Sequence, residues 1–292
     1  MEIKLIELYC LICHLYDTQS VLKHQRLSNY KPKFTDQEVV TCYFFAMLNN
    51  QRTICEIYDY ISRHWRSCFL ALPTYQAFNN RLNNLSASFA VIFNVLLAEK
   101  LQTANSDLTA DSIIDSFPVM MARGKKAKSC QTASELASFG YCASKDIYYY
   151  GVKLHNLAIR RLHTLPLPTA VFLSKASMHD LTAFKESDPL IPTKNLFADK
   201  AYIDEQFRLY LQSSGVTLLT PPKRKKNDLP QYVEPLWSKF VSCFRQPIES
   251  FFKWLGDKTD YQDASRVRSK NGLLVHCYGK LAFVGLLLCF YS

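Results

Sequence analysis

The sequence predicts an α/β domain preceded by an all-helical region, and three observations predict it. Residues 1–103 carry apolar positions at helical spacing behind clear helix starts. From Thr109 onward, short apolar runs alternate with helical stretches, the pattern of a sheet covered by helices. Pro221-Pro222 closes the last of these runs, because proline has no N–H to give a ladder.

In the helical region, Thr35-Asp36-Gln37-Glu38 is a capping box that opens an apolar helix through Leu48. Gln51-Arg52-Thr53 starts a second helix, to about Trp65. Pro73-Thr74 opens a third, with Tyr75, Phe78 and Leu82 on one stripe and Asn79, Asn80 and Arg81 on another. A helix from about Ser86 to Leu101 is apolar nearly all round. Short helices with basic and amide side chains suit a small DNA-binding bundle, and equally a dimerisation scaffold. The region 1–103 is therefore read as DNA-binding or dimerising, and 104–292 as the α/β domain. Strands are expected near 109–118, 147–158, 169–175, 195–199 and 216–220. Helices are expected near 180–187, 203–213, 240–256 and 271–290.

Composition narrows the function. The 292 residues are 48% apolar, with 19 Phe and 17 Tyr, which supports a packed core and excludes general disorder. Eight glycines and no glycine-rich phosphate loop argue against a nucleotide-binding enzyme. A formal charge of +10 and a pI near 9.0 suit a polyanion, above all nucleic acid. The ten cysteines are irregularly spaced, and Cys10 and Cys13 have no second pair to complete a zinc site, so reduced buried thiols are expected. The stretch from Gly272 to Tyr291 has membrane-like hydropathy, but His276 and Lys280 interrupt it. The run after Lys280 is about half of the roughly 20 residues a span needs, which predicts a buried core helix in a cytoplasmic protein.

Three carboxylates stand out. Asp199 ends the apolar run Leu196-Phe197-Ala198 and precedes Lys200. A charge at the tip of a buried strand is costly unless a metal or another cation meets it. Asp199 also suits a turn or helix cap. Asp115 lies in Ile113-Ile114-Asp115-Ser116-Phe117-Pro118. Strand alternation puts its rival Asp111 on the same face, but Asp115 stands at the strand's later end, where α/β sites form. Glu249 lies in Arg245-Gln246-Pro247-Ile248-Glu249-Ser250-Phe251-Phe252-Lys253. Pro247 reads as a first helical turn, which makes Glu249 a third helical position, able to cap or to pair with Arg245 or Lys253. Three carboxylates from distant parts of one basic chain point to a Mg²⁺ site that works on phosphodiesters.

Ile-Ile-Asp-Ser-Phe-Pro, Phe-Ala-Asp-Lys-Ala-Tyr and Arg-x-x-x-Glu, in that order, resemble the DDE transposases of bacterial insertion sequences, and in particular insertion-sequence family 982. Tyr149-Tyr150-Gly151-Val152-Lys153-Leu154-His155 is similar to the second-strand motif of those enzymes, and Ser177-Met178-His179-Asp180 to the turn after their third strand. The resemblance covers residues 109–256 by motif and the helical region by pattern only.

The resemblance implies an RNase H-like fold, a mixed five-stranded sheet flanked by helices. The first acid ends strand one, the second ends strand four, and the third sits on the helix after strand five. It implies a transposase that cleaves insertion-sequence ends and joins the 3′-hydroxyl to target DNA. Two Mg²⁺ ions would serve, with Mn²⁺ able to substitute; Asp115 would bridge both, Asp199 would hold one and Glu249 the other. The implied partners are the terminal inverted repeats and target DNA, bound by a homodimer at the bacterial nucleoid, with no membrane. Lys153, His155, Lys200, Arg245 and Lys253 flank the acids as candidate DNA contacts. Lys223, Arg224, Lys225 and Lys226 form a basic loop suited to the DNA backbone, and Arg123 to Lys128 is a second patch. The chain departs from the wider group at Ser242 and Gly256, where relatives carry tyrosine and lysine around the third acid. Two alternatives are an RNase H-like nuclease that never joins strands and an inactive DNA-binding protein.

Overall fold

The computed structural model describes residues 1–23, 32–104, 108–222 and 233–290. These form two compact units. One comprises Met1–Lys100, Lys258–Tyr261 and the segment from Val267 onward; the other comprises Leu101–Asp257 and Gln262–Arg266.

The first unit holds helices α1 (Glu2–Thr18), α2 (Ser20–Lys23), α3 (Asp36–Leu48), α4 (Ile54–His64), α5 (Tyr75–Asn84) and most of α6 (Ser86–Thr103). The expected capping box closes on α3: Thr35 Oγ1 accepts from Glu38 N, and Glu38 Oε2 accepts from Thr35 N at 2.6 Å. Thr53 and Glu56 repeat it on α4. Each cap satisfies two otherwise orphaned N–H groups. The α3 interior is buried almost all round, with Tyr43, Phe44 and Phe89 in mutual ring contact. The carboxy-terminal helices packed here are α11 (Lys270–Leu274), a π-helical turn (Val275–Gly279) and α12 (Lys280–Phe290). Sequence reading grouped this segment with the strands; by packing it joins the amino-terminal helices. Phe283 meets Phe44 at 6.4 Å, and Cys289 Sγ donates to Leu96 O at 3.2 Å.

Lys270–Phe290 is long and apolar enough to cross a membrane, yet two thirds of its most apolar stretch is buried against protein, as expected of a core helix. Its two polar interruptions are both accommodated. Lys280 Nζ donates to Asp260 O at 3.0 Å, and His276 Nε2 donates to Tyr261 O at 2.8 Å. The ten cysteines are free thiols. Burial was expected for them, but only Cys42, Cys142 and Cys277 are fully buried, and Cys10, Cys55, Cys68 and Cys243 are exposed.

The second unit is built on β1 (Leu108–Arg123), β2 (Ser138–Cys142), β3 (Ile147–Arg161), β4 (Leu167–Lys175), β5 (Asn195–Phe197) and β6 (Thr217–Leu219). Helices α7 (Lys125–Ser129), α8 (Asp180–Ser187), α9 (Glu205–Ser213) and α10 (Val233–Thr259) complete it. The sheet is mixed: β1 pairs antiparallel with β3 and parallel with β5, and β5 pairs parallel with β6. It has six strands where five were expected. The additional strand, β2, takes the edge of β3 at Ile147–Gly151, and β4 takes the same edge at Val152–Ile159. Gly140 and Gly151 mark that junction. A Cβ on Gly140 would stand 2.4 Å from Ala176 O, and one on Gly151 would stand 2.0 Å from Val119 O, so no larger residue fits either position without backbone movement. The arrangement fits an RNase H-like domain.

Strand alternation divides the core. Ile114, Leu157 and Leu196 pack under Leu181 and Phe184 of α8 and Phe207 and Leu211 of α9. On the opposite face, Phe117 stacks on Phe252 at 5.0 Å, and Phe197 stacks on Phe244 at 4.7 Å, both partners lying on α10. The second face is the one that carries Asp115.

Candidate active site

Parallel pairing places the first two acids. Asp111, Ser112 and Ile113 lie opposite Asn195, Leu196 and Phe197. Continuing that register by two residues sets Asp115 beside Asp199, just past the carboxyl end of β5; β1 itself runs on to Arg123, so Asp115 stands midway along it and not at its later end as expected. The rival Asp111 lies about 13 Å back along β1. There it accepts from Asn195 Nδ2 at 2.8 Å, and Arg160 approaches it at 3.9 Å. Asp111 thus ties the start of β5 to β1, and Asp115 is the one of the two that register sets beside Asp199.

Both site aspartates are pushed toward neutrality. Burial raises Asp115 to about 6, against the pull of Arg245 and the Ser116 amide, and the Asp199 charge raises it further. Burial likewise raises Asp199, opposed by the Ala201 amide and Arg245, with Asp180 adding repulsion. Asp115 Oδ2 accepts from Arg245 Nη2 at 2.7 Å, and its Oδ1 accepts from Ser116 N at 2.8 Å. Asp199 caps the turn Lys200–Tyr202, where Oδ1 accepts from Ala201 N at 2.7 Å. The cap, one of the two roles weighed for Asp199 in sequence, is thus made, on the turn Lys200–Tyr202.

Glu249 is not gathered in. It is exposed on α10 and makes no hydrogen bond or ion pair to either aspartate. Among the described residues, no group of three His, Cys, Asp or Glu side chains is placed to hold an ion. The local reading of α10 needs correction as well. The helix begins at Val233, so Pro247 lies inside it and Glu249 is mid-helix, not a third helical position. Glu249 remains one helical turn beyond Arg245, on the same side of α10.

The cationic candidates separate. Arg245 meets Asp115 directly. Lys153 Nζ donates to Asp180 Oδ1 and to Met178 O, both at 2.8 Å. Lys200 and Lys253 are exposed, Lys200 immediately after Asp199 and Lys253 one turn after Glu249. His155 is corrected: its ring is fully buried, shares a hydrogen bond between Nε2 and Ser174 Oγ at 2.8 Å and stacks on Phe172 at 4.7 Å, so it presents nothing to DNA. Burial lowers its pKa to about 4. Lys223, Arg224, Lys225 and Lys226 lie outside the described residues.

Three further groups lie beside the site: Tyr202 and Asn156, which the sequence did not single out, and Asp180, which it offered as a metal ligand with His179 or as a helix cap. Asp180 opens α8, where His179 is the cap, and it accepts from Ser116 Oγ at 3.0 Å as well as from Lys153. Tyr202 is fully buried, with its hydroxyl unpartnered; burial raises its pKa, and Asp180, Asp115 and Asp199 add to the effect. Asn156 is the ladder partner of Asp115, fully buried, with both amide atoms unpartnered. Tyr202 stood in a motif already noted, and an apolar frame around a polar residue is the signal that could have singled it out.

The result is a cluster of part-buried carboxylates with one arginine and one lysine supplying positive charge. Such an array suits a hard cation and a phosphodiester. No curated protein and no solved structure matches the chain. A family model described as "Transposase DDE domain" matches residues 109–284, which includes Asp115, Asp199, Arg245 and Glu249. With more than half its length matched, the chain belongs to the transposase DDE domain family.

Proposed function

We propose that this chain is the transposase of an insertion sequence of family 982, cutting the element's ends and joining the exposed 3′-hydroxyl to target DNA. The observation that carries the reading is the side-by-side pair Asp115 and Asp199, both driven up by burial and offset by Arg245. A buried like-charge pair is expensive on its own, and a divalent cation removes the expense. The donor set is all oxygen, which favours Mg²⁺ or Mn²⁺ over softer ions.

Asp115 and Asp199 would hold the metal, with Glu249 joining them from the next turn of α10. Bound there, the metal supplies charge neutralisation at phosphorus and a more acidic attacking water. Arg245 holds Asp115 in place and would offer its charge to a phosphate oxygen beside that carboxylate. Lys153 holds Asp180 beside the site. Lys200, Lys253 and the 223–226 loop are assigned to the DNA backbone, residues 1–103 to end recognition and dimerisation, and terminal inverted repeats and target DNA are the substrates.

Purified protein incubated with labelled element ends and Mg²⁺ or Mn²⁺ tests the proposal. Wild type should nick at the end's boundary. Asp115→Asn, Asp199→Asn and Glu249→Gln should each bind the end and fail to cut. If Asp111→Asn abolishes cutting and Asp115→Asn does not, the assignment of the first acid fails. Transfer of the cut strand into a second duplex separates a transposase from a plain nuclease.

A further inference from the structure

We infer that the β2–β3 hairpin is a base-stacking platform that takes an unpaired base of the DNA substrate. The inference rests on the transposase reading and adds a contact surface to it. Phe139, Tyr141 and Tyr148 are 37%, 45% and 58% exposed, which is unusual for three large rings on one ordered sheet edge. Register puts all three on one face: Tyr141 lies opposite Tyr148, and Phe139 opposite Tyr150. Tyr148 is the central ring. It stacks on Phe139 at 5.4 Å with the planes 1° apart, and it meets Tyr141 at 4.9 Å.

The platform is fixed, not collapsed. Tyr141 Oη donates to Asp146 Oδ1 at 2.5 Å, so its hydroxyl is engaged and its ring is held. Asp146 itself turns the hairpin with φ of 51°. On the same face, Tyr150 is buried, with Cys130 and Glu135 of the segment after α7 as its neighbours. That cover stops short of Tyr148.

Charge identifies the occupant. Lys125, Lys126 and Lys128 lie on α7, which packs on β1 and β3, and all three are exposed. Lys145, in the hairpin's own turn, adds a fourth cation, bonded to Gln262. Asp146, the acid of that turn, is engaged by Tyr141. Exposed rings beside clustered lysines are what a single strand of nucleic acid needs: a π-face for the base and cations for the phosphates. A second copy of this chain, the competing occupant, would have to bring four like charges together.

Fluorescence anisotropy with a labelled oligothymidine and with a paired element end tests the inference on the full chain. Wild type should bind both. Tyr148→Phe should keep single-strand affinity. Tyr148→Leu, and Phe139→Ala with Tyr148→Ala, should weaken it about tenfold or more with little change on the paired end. Lys125→Gln with Lys126→Gln should lower the salt dependence of single-strand binding. Thermal melting checks that the variants fold. Unchanged single-strand affinity in the ring-less variants, with duplex binding and cutting intact, overturns this inference alone. A fall in self-association of those variants without DNA would also overturn it. Failure of wild type to bind any DNA overturns the transposase reading with it.

Discussion

Arg245 of α10 and Asp115 of β1 meet at 2.7 Å with side chains only 15% and 18% exposed. The guanidinium is the nearest positive charge to a carboxylate that already feels Asp199. Removing it leaves a buried anion beside a second one. Arg245→Ala should destabilise the metal-free protein by about 2 kcal/mol at pH 8, below the 3–5 kcal/mol of a fully buried pair because some water reaches the site. At pH 5 the loss should be smaller, since Asp115 can then take a proton. Urea denaturation at the two pH values checks this, and equal losses at both would contradict it.

Two buried groups of opposite sense titrate over the same pH range. Asp115 ionises near 6 in the folded chain and near the ordinary carboxylate value when unfolded, so the folded state gains stability as pH falls through 6 toward 4. His155 ionises near 4 when folded and near 6.5 when unfolded, so the folded state loses stability over nearly the same interval. Each effect is at most about 3 kcal/mol, and they oppose. The metal-free wild type should therefore show a shallow dependence between pH 4 and 6. Asp115→Asn should expose the His155 loss, and His155→Gln the Asp115 gain. Mg²⁺ should abolish the Asp115 contribution. Melting curves across this range decide the matter; a profile unchanged by Asp115→Asn would sink the account.

Lys153 and Asp180 form the other ion pair beside the site, at 2.8 Å with 16% exposure on each side chain. Ser116 joins β1 to the same carboxylate. The pair locks the start of α8 onto the strand next to Asp115. A double-mutant cycle with Lys153→Met and Asp180→Asn should give a coupling of about 1–2 kcal/mol, above the range of exposed pairs. Each single variant should also slow end cutting while leaving end binding nearly intact. A coupling near zero would make the pair incidental.

Most of the sheet was readable in sequence because its strands rest on local patterns. An apolar run followed by an acid marks the end of β5 and, in β1, the middle of a strand that continues to Arg123, and helix 180–187 was placed to the residue. β2 was not readable: Ser138-Phe139-Gly140-Tyr141-Cys142 is short, glycine-broken and uncovered on one face, so it lacks the alternation of a half-buried strand. The start of α10 was misjudged because proline suits a first turn far better than an interior, and here packing of Phe244, Phe251 and Phe252 against protein outweighs that preference. His155 was misassigned because a histidine beside a lysine in a basic chain looks exposed, whereas strand register points it into the core opposite Phe172. The Arg245–Asp115 contact joins residues far apart in sequence, and no local signal carries it.

Pro247 divides Arg245 from Glu249 within one helix. Its missing N–H leaves the carbonyl of Cys243 without its helical partner, and its ring crowds that turn, which favours a bend between the two side chains. Such a bend would set the heading of Glu249 relative to an arginine already anchored on Asp115. Pro247→Ala should straighten α10 and raise stability by about 1–3 kcal/mol, the cost of an interior proline. End cutting should nevertheless fall about tenfold or more, because Glu249 would swing away from the aspartate pair while Arg245 stays fixed. Circular dichroism with thermal melting gives the first outcome and nicking of labelled ends the second. A stabilised variant that cuts at the wild-type rate would show that the bend plays no part in bringing the third acid to the site.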